Sequence, residues 1–483
     1  MEAEVAERNR HWVRPYLLPP LFFLIAYTTP YALLLANYGV ALAVDSYTLW
    51  VFGFTVAQAL LSAALSLAGG FALLPAYLRL PWARAVALVP FFAPALSTVD
   101  ALIRLHGDVM YSPWGVVLAH GVYYAPYAAL LLEANARSIP ADLLDAVDLY
   151  ARRAAARLRI FMYELRPAVL YSFYTVFVFS FLSFTTPLLL GGRYPTLELL
   201  VYIYATSFAS SNLVSTTVLL TLAVSLALAI PFFKLPAPPS AEQAPRPPRV
   251  GAVALAASAA VLAYYVILSF YLFQPLAQPR GLGELVQPLT TSVLVAVLSA
   301  TASLMAAISF LVAESAGERH PVAIYIVAIS LSKSLFALGF FHLAQPLYGT
   351  ALILAAAHTL VITPLAYSLI KPAWEKIRQD VREACVLYLG PFKCVSRIAT
   401  EMLGPTVLQT WLMSLASSLS ETTLALILTT GGSETLSAVA VRLLTSRAPD
   451  LIETGHFYSA LLATMVLATL AASRLVKTRP FTI

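Results

Sequence analysis

Long apolar runs limit what this chain can fold into. Twelve such stretches, each near the roughly 20 residues that an α-helix needs to cross a bilayer, follow one another along the 483 residues. Charged residues make up only 11% of the chain, against about 25% in a typical soluble domain. Membrane barrel strands are only about 10 residues long, so the length of the runs favours helices. The runs begin near Pro15, Tyr47, Ala83, Trp114, Ala168, Leu199, Val250, Pro288, Pro321, Leu347, Thr406 and Gly455.

We therefore expect an all-α integral membrane protein with about twelve transmembrane helices. The runs are too numerous for a signal peptide followed by a soluble domain. Basic residues accumulate on the cytoplasmic side of membrane proteins, and their distribution here places both termini in the cytoplasm, with the protein in the cell membrane. Lys333 falls inside a run, and the only Lys or Arg residues in the predicted outer loops are Arg104, Arg193, Arg280, Arg442 and Arg447. The net charge of +6 then faces anionic lipid headgroups, and no nucleic-acid partner is expected.

A Pro-rich polar segment, 234–249, divides the chain into two halves. Its composition is that of an extended connector, so the expected organisation is a first half over 1–233 and a second over 250–483, with six helices each. The second half repeats part of the first, because 357–407 align with 119–169 without gaps. The identical pairs include His120 with His358, Pro126 with Pro364, Asp142 with Asp380, Tyr150 with Tyr388, and Pro167 with Pro405. An even number of spans in each half makes these two parallel repeats, related by an axis along the membrane normal.

The most polar part of the repeat is a loop of about 30 residues, far longer than two adjacent helices need. In the first copy, over about 137–167, Pro140 suits the first turn of a helix, and Asp142, Asp145 and Asp148 complement its positive end. We expect a short amphipathic helix near the membrane surface there and an equivalent helix in the second loop, over about 371–405. A plain membrane-surface anchor is the alternative, although it gives no reason for two matched copies.

These loops resemble the coupling loops of permease subunits in bacterial and archaeal ABC importers, whose motif runs Glu-Ala-Ala, three residues, Gly, and later Leu-Pro. Glu383, Ala384 and Cys385 occupy the first three places in one copy, and Asp145, Ala146 and Val147 in the other. The tails are "LRP" and "LGP". The stretches "FLSFTTPLLLGGRYPTLELLVYIY" and "SLSETTLALILTTGGSETLSAVAVRLL" resemble the outer segments of fused permeases for iron(III) and thiamine. The motif glycine is replaced by Ala151 and Leu389, with Gly390 one place late, so the turn is expected to differ in shape.

The resemblance implies that each loop docks a cytoplasmic ATP-binding subunit, so two such subunits are expected, with an extracytoplasmic substrate-binding protein on the outer face. No phosphate-binding G-x-x-x-x-G-K-[ST] motif occurs in the sequence, so ATP would be used by the partner, and neither an enzymatic site nor a cofactor is expected in this chain. The residues expected at the docking contacts are Asp142, Asp145, Ala146, Tyr150, Ala151, Asp380, Glu383, Ala384, Tyr388 and Gly390.

Charges inside a membrane are costly and usually functional, which makes Lys333 and Glu421 candidates for the translocation path, as a pair if they meet. A structural salt bridge between packed helices is the competing interpretation. For Asp100, Arg104 and Asp108 we favour a solvated outer rim. His120 and His358 fit helix packing better than a metal site, and no metal ligand is assigned.

Cys385 and Cys394 lie nine residues apart in the second predicted loop. Their spacing matches neither a disulfide framework nor a zinc motif, so we expect two free and inert thiols. Gly191 and Gly192, like Gly431 and Gly432, are expected to end helices at the outer surface.

Two further functions remain open beside the importer permease. An ion-coupled secondary transporter also uses two parallel six-helix repeats, but it needs no docking loops and normally needs buried ion-coupling groups. A structural or enzymatic membrane scaffold would neither transport a solute nor bind an ATPase. The substrate is open as well, with iron(III) or a thiamine-like compound favoured by the resemblance.

Overall fold

The computed structural model describes residues 15–476 except 152, 191–192, 208, 234, 236–250 and 318–330. Within those residues all regular structure is helical and no strand occurs. The predicted linker 234–249, apart from Leu235, and the glycine pair Gly191 and Gly192 lie outside the described residues.

Twelve helices precede the linker in the described part of the chain. They are α1 (Leu18–Tyr38), α2 (Ser46–Arg79), α3 (Pro81–Ala87), α4 (Val89–Phe92), α5 (Ala95–His106), α6 (Pro113–Arg137), α7 (Ala141–Tyr150), α8 (Ala154–Glu164), α9 (Arg166–Phe181), α10 (Thr185–Leu189), α11 (Leu197–Thr206) and α12 (Ser211–Ala229).

Ten described helices follow it. They are α13 (Ala252–Phe273), α14 (Leu282–Ser315), α15 (Lys333–Leu343), α16 (Ala351–Glu375), α17 (Gln379–Leu389), α18 (Pro391–Glu401), α19 (Gly404–Ser420), α20 (Thr423–Leu428), α21 (Leu436–Leu444) and α22 (Pro449–Leu475).

Eight of the described helices are long and apolar enough to cross a membrane: α1, α2, α6, α12, α13, α14, α16 and α22. This confirms the all-α membrane class. The run near Ala83 does not form one helix, because the chain breaks after Ala87 and again at Ala93, giving α3, α4 and α5. The run near Leu199 is also divided, so that the long helix begins at Ser211.

Helix positions recur along the chain with a nearly constant spacing. The helix α6 starts at Pro113 and α16 at Ala351, and both helices are 25 residues long. These two starts are as far apart in sequence as His120 and His358, and we call this distance the repeat offset. The repeat offset also separates the starts of α5 and α15, of α7 and α17, of α9 and α19, and of α12 and α22. The two 34-residue helices α2 and α14 depart from it only slightly.

Packing recurs in the same way. The helix α6 lies along α2, and α9 packs on both; α16 lies along α14, and α19 packs on both. Small residues bring the first pair together, since a Cβ added at Gly70 would lie 2.9 Å from the Cβ of Ala128. Close backbone approach at small residues is how helices commonly associate in lipid, where water cannot drive them together.

The first helix of each set packs on the opposite set. The helix α1 lies against α15, and α13 lies against α5 and α2. At the α1–α15 contact a Cβ on Gly339 would overlap the Pro30 carbonyl, so the two backbones touch there. Further contacts join α11 to α15, and α5 to α21 and α22, so α5 and α15 lie in the interface between the two sets.

Candidate functional site

The first polar loop contains the helix that the sequence predicts. The helix α6 ends at Arg137 and α9 begins at Arg166, in agreement with the predicted loop over 137–167. The helix α7 begins at Ala141 after an extended Pro140, and Asp142 lies in its first turn, where a carboxylate complements the helix dipole. None of its residues is buried, so the whole helix is accessible from outside the protein.

The second loop repeats this arrangement with small differences. The helix α16 runs to Glu375, so the loop begins slightly later than the predicted 371. The helix α17 also has no buried residue. Arg378 binds both carboxylate oxygens of Asp380, at 3.1 and 2.6 Å, and these hydrogen bonds lower the pKa of Asp380. Asp380 therefore remains ionised at the helix start well below neutral pH.

Each loop helix carries an exposed Leu-Tyr pair in its last turn. Leu149 and Tyr150 are 73% and 84% exposed, and Leu387 and Tyr388 are 64% and 84% exposed. The repeat offset relates the second pair to the first. Large exposed apolar side chains therefore recur at two matched positions outside the spans.

The remaining predicted docking residues are placed as follows. Asp142 and Asp145 are exposed on α7, and Ala146 is partly buried. Glu383 and Ala384 are exposed on α17, and Gln379 donates a hydrogen bond of 2.7 Å to the Glu383 carboxylate.

The turns after the two loop helices differ in backbone conformation. Gly390 has a φ of +77°, a conformation that glycine adopts without strain. Ala151 has a φ of −86°, and Arg157 Nε donates a 2.7 Å hydrogen bond to its carbonyl. In the first loop a guanidinium thus stabilises the turn where the second loop uses a glycine.

The prediction of two free thiols is wrong. Cys385 on α17 and Cys394 on α18 form a disulfide, with their Cα atoms 5.5 Å apart. Their nine-residue spacing hides this because α18 folds back on α17 at Gly390 and brings the two side chains together. The equivalent positions in the first loop, Val147 and Ala156, cannot form such a bond.

A cavity of about 1000 Å³ opens beneath the second loop. Its lining includes Arg382 and Glu383 of α17, Lys393 of α18, Glu314 of α14 and Tyr16 near the start of α1. The loop is therefore not packed tightly on the membrane-spanning helices.

Lys333 and Glu421 meet, as the sequence analysis allows. The Lys333 Nζ lies 2.7 Å from Glu421 Oε2, with the lysine side chain 52% exposed and the glutamate 9%. Lys333 is the first residue of α15, and Glu421 follows the end of α19, where its carboxylate accepts a 3.1 Å hydrogen bond from the backbone N–H of Thr423. Both residues therefore lie at breaks between helices rather than inside continuous ones.

A second carboxylate lies close to this pair and is not among the residues predicted from the sequence. Glu198 on α11 is 1% exposed and accepts a hydrogen bond from the Ser334 hydroxyl, across the contact between α11 and α15. Lys333 lies within electrostatic range of it. The sequence contains a signal for this residue, because Glu198 is a charged residue in the apolar run "LELLVYIY". The predicted span begins only near Leu199, however, and leaves Glu198 at its edge.

His120 and His358 are both buried and hydrogen-bonded inside the protein. His120 Nδ1 lies 3.1 Å from Gln58 Oε1, and His358 Nδ1 lies 2.8 Å from the Ser418 hydroxyl. This agrees with the packing interpretation. Among the described residues no group of three or more His, Cys, Asp or Glu side chains is arranged to hold a metal ion.

The solvated-rim interpretation is wrong for Asp100. This residue is 2% exposed, and its Oδ1 lies 2.6 Å from Nδ1 of His456 on α22. Arg104 lies 3.5 Å from its other oxygen and donates to the Tyr271 carbonyl on α13. Asp100 thus joins three helices across the interface, whereas Asp108 is exposed as expected.

The ends of α6 and α16 that lead into the two loops each carry an ion-pair network, and the signs of the charges are reversed between them. Glu133 pairs with Arg137 at 2.7 Å and also with Arg84. At the positions that the repeat offset relates to Glu133 and Arg137, Lys371 pairs with Glu375 at 3.6 Å, and Lys371 also pairs with Glu314. The two loops therefore leave the membrane-spanning helices from different electrostatic surroundings.

No family model, curated protein or solved structure matches this chain.

Proposed function

We propose that this chain is the membrane-spanning permease of an ATP-driven importer, in which two cytoplasmic loops dock separate ATP-binding subunits. The observation that carries the proposal is the pair of matched loop helices. Each has no buried residue and carries a largely exposed Leu-Tyr pair in its last turn. The recurrence of this exposed pair in both loops, rather than the exposure of either tyrosine alone, supports a partner that covers it.

The layout that goes with this function is a pair of parallel six-helix repeats with both termini in the cytoplasm. The recurrence of helix starts at the repeat offset supports it. The packing of the first helix of each half on the opposite half also supports it, since α1 and α13 each pack on the opposite set. ATP used by the partner subunits would draw the two loops together, and the halves would rock to open the path inward or outward.

The solute is proposed to be small and to be delivered by an extracytoplasmic binding protein. The resemblance of the outer segments favours iron(III) or a thiamine-like compound. Lys333 and Glu421 are proposed to face the path between the halves. This chain itself would hold no cofactor and catalyse no reaction.

Co-purification tests the docking. The tagged chain, extracted from its native membrane in mild detergent, should bring down a protein with an ATP-binding motif. Asp145→Lys combined with Glu383→Lys reverses the charge on both loop helices and should remove that protein. Asp108→Lys, a charge reversal at an exposed site outside the loops, serves as the control and should leave it bound. Retention of the ATP-binding protein by the double variant contradicts the proposed contact.

An ion-coupled secondary transporter is the second candidate, and the buried carboxylate of Glu198 favours it. It predicts a chain that purifies alone and takes up its solute in proteoliposomes when an ion gradient is imposed. The importer predicts no uptake under that gradient without the ATP-binding subunits.

A further inference from the structure

Three charged side chains from the two halves lie where α15 contacts α11 and α20. Lys333 and Glu421 belong to the part of the chain after the linker, whereas Glu198 belongs to α11 before it. Lys333 Nζ binds Glu421 Oε2 at 2.7 Å, and Ser334, the next residue on α15, donates to Glu198. The site is therefore composite and would be pulled apart by any separation of the two halves.

The hydrogen bonding of this cluster is incomplete. Within the described residues Glu198 Oε1 has no hydrogen-bond partner, although the residue is almost wholly buried. A buried carboxylate oxygen without a donor is costly, so the position is suited to a ligand with N–H or O–H donors. The half-exposed Lys333 side chain marks the side from which water, and hence a solute, reaches the cluster.

The fold does not need these charges. The repeat offset relates Lys333 and Glu421 to Ala95 and Ser183 in the first half, and α5 still begins at Ala95. The backbone carbonyls of Ser183 and Glu421 each accept a hydrogen bond from a hydroxyl group. Thr196 donates to the Ser183 carbonyl at 2.7 Å, and Ser437 donates to the Glu421 carbonyl at 3.1 Å. The same local structure thus forms with neither charge, which argues against a purely structural ion pair.

We propose that Glu198 and Glu421 form a binding site for an organic cation that bears N–H donors, and that the Lys333 ammonium fills this site when the cation is absent. Glu421 binds the Lys333 ammonium at 2.7 Å, and Glu198 lies within electrostatic range of that ammonium. An incoming cation can take the place of the lysine, whose half-exposed side chain is free to move toward solvent. Lys333 already demonstrates the chemistry, since the site in its present form binds an alkylammonium group. His358 lies within electrostatic range of Glu421 and Lys333.

This inference rests on the proposed function only in naming the cation as the transported solute. It narrows the solute to the thiamine-like class, because a trivalent metal requires several oxygen ligands at once, and one of the two carboxylates already accepts a backbone hydrogen bond at the start of α20. The binding itself needs neither ATP nor a partner subunit.

The test is chemical rescue of a variant without the lysine. Lys333→Ala, purified in detergent, should show a melting temperature that rises with ethylammonium chloride and saturates, beyond any rise with NaCl at the same concentration. Tetramethylammonium, which has no N–H donor, should give no such rise. In the wild-type chain, where ethylammonium has to displace Lys333, the same rise should require a higher ethylammonium concentration than in Lys333→Ala.

A second substitution identifies the ligands. In Lys333→Ala combined with Glu198→Gln, the ethylammonium concentration for half of the effect should increase at least tenfold. If Lys333→Ala is not recovered folded, Lys333→Ser, which suits the first turn of a helix, takes its place. An absence of rescue, or a rescue that Glu198→Gln leaves unchanged, overturns the site. Because the assay uses the isolated chain, that failure would leave the docking proposal standing.

Discussion

At the scale of single residues, the interior of this protein is organised by charges that find partners across helices. Asp100, Glu133 and Glu198 are buried and the Glu421 side chain is 9% exposed. Each is contacted by a basic or hydroxyl group from another element. Ionisable groups in a membrane are expensive unless they are paired in this way. Replacing any of these four carboxylates should therefore lower the stability of the protein as well as affect its function.

Asp100 offers the clearest residue-scale prediction. Asp100→Ala leaves the side chains of Arg104 and His456 without their shared carboxylate, and breaking a buried pair in this way costs about 3–5 kcal/mol. We expect a large fall in the unfolding midpoint in detergent. Asp108→Ala, at a nearby exposed position, should stay within about 0.5 kcal/mol of the wild type. Equal effects of the two substitutions would contradict the buried network.

At the scale of helices, close backbone contact joins α1 to the second set. Gly339→Ala places a methyl group against the Pro30 carbonyl, and such overpacking costs about 1–3 kcal/mol. The matched control is Gly53→Ala in α2, where nothing lies within 4 Å of the added Cβ. That change should be neutral or stabilising by up to about 1 kcal/mol. Thermal unfolding of both variants in the same detergent compares them, and a harmless Gly339→Ala would mean that α1 does not pack as described.

The loop helices α17 and α18 should respond to reductant. The disulfide between Cys385 and Cys394 predicts no alkylation of the denatured chain by iodoacetamide without prior reduction and two added groups after it. Mass spectrometry reads the difference directly. Reduction should also speed hydrogen exchange over 379–401 while leaving 141–164 unchanged, because the first loop has no equivalent bond. Two thiols alkylated without reductant would restore the original free-thiol prediction.

At the scale of the whole molecule, the sequence predicts the individual helices better than it predicts the contacts between them. Apolar length and Pro-rich or charged loops are local signals, so α6, α7 and the membrane class follow from them. The breaks at Ala93 and Glu421 do not, because other helices satisfy the backbone there. Glu198 and Ser334 are 136 residues apart, and Asp100 and His456 are 356 apart. No local pattern reveals such pairs, and the disulfide depends on a turn at Gly390.

The central claim is that two loops of one chain contact ATP-binding subunits. The most direct measurement replaces Tyr150 or Tyr388, one at a time, with a photoreactive benzoylphenylalanine and irradiates native membranes. Each position should cross-link to a protein that mass spectrometry identifies by its ATP-binding motif. Phe22, which is 72% exposed on the membrane-spanning α1, is the control and should give no such product. Cross-links from only one loop, or from neither, would contradict the claim.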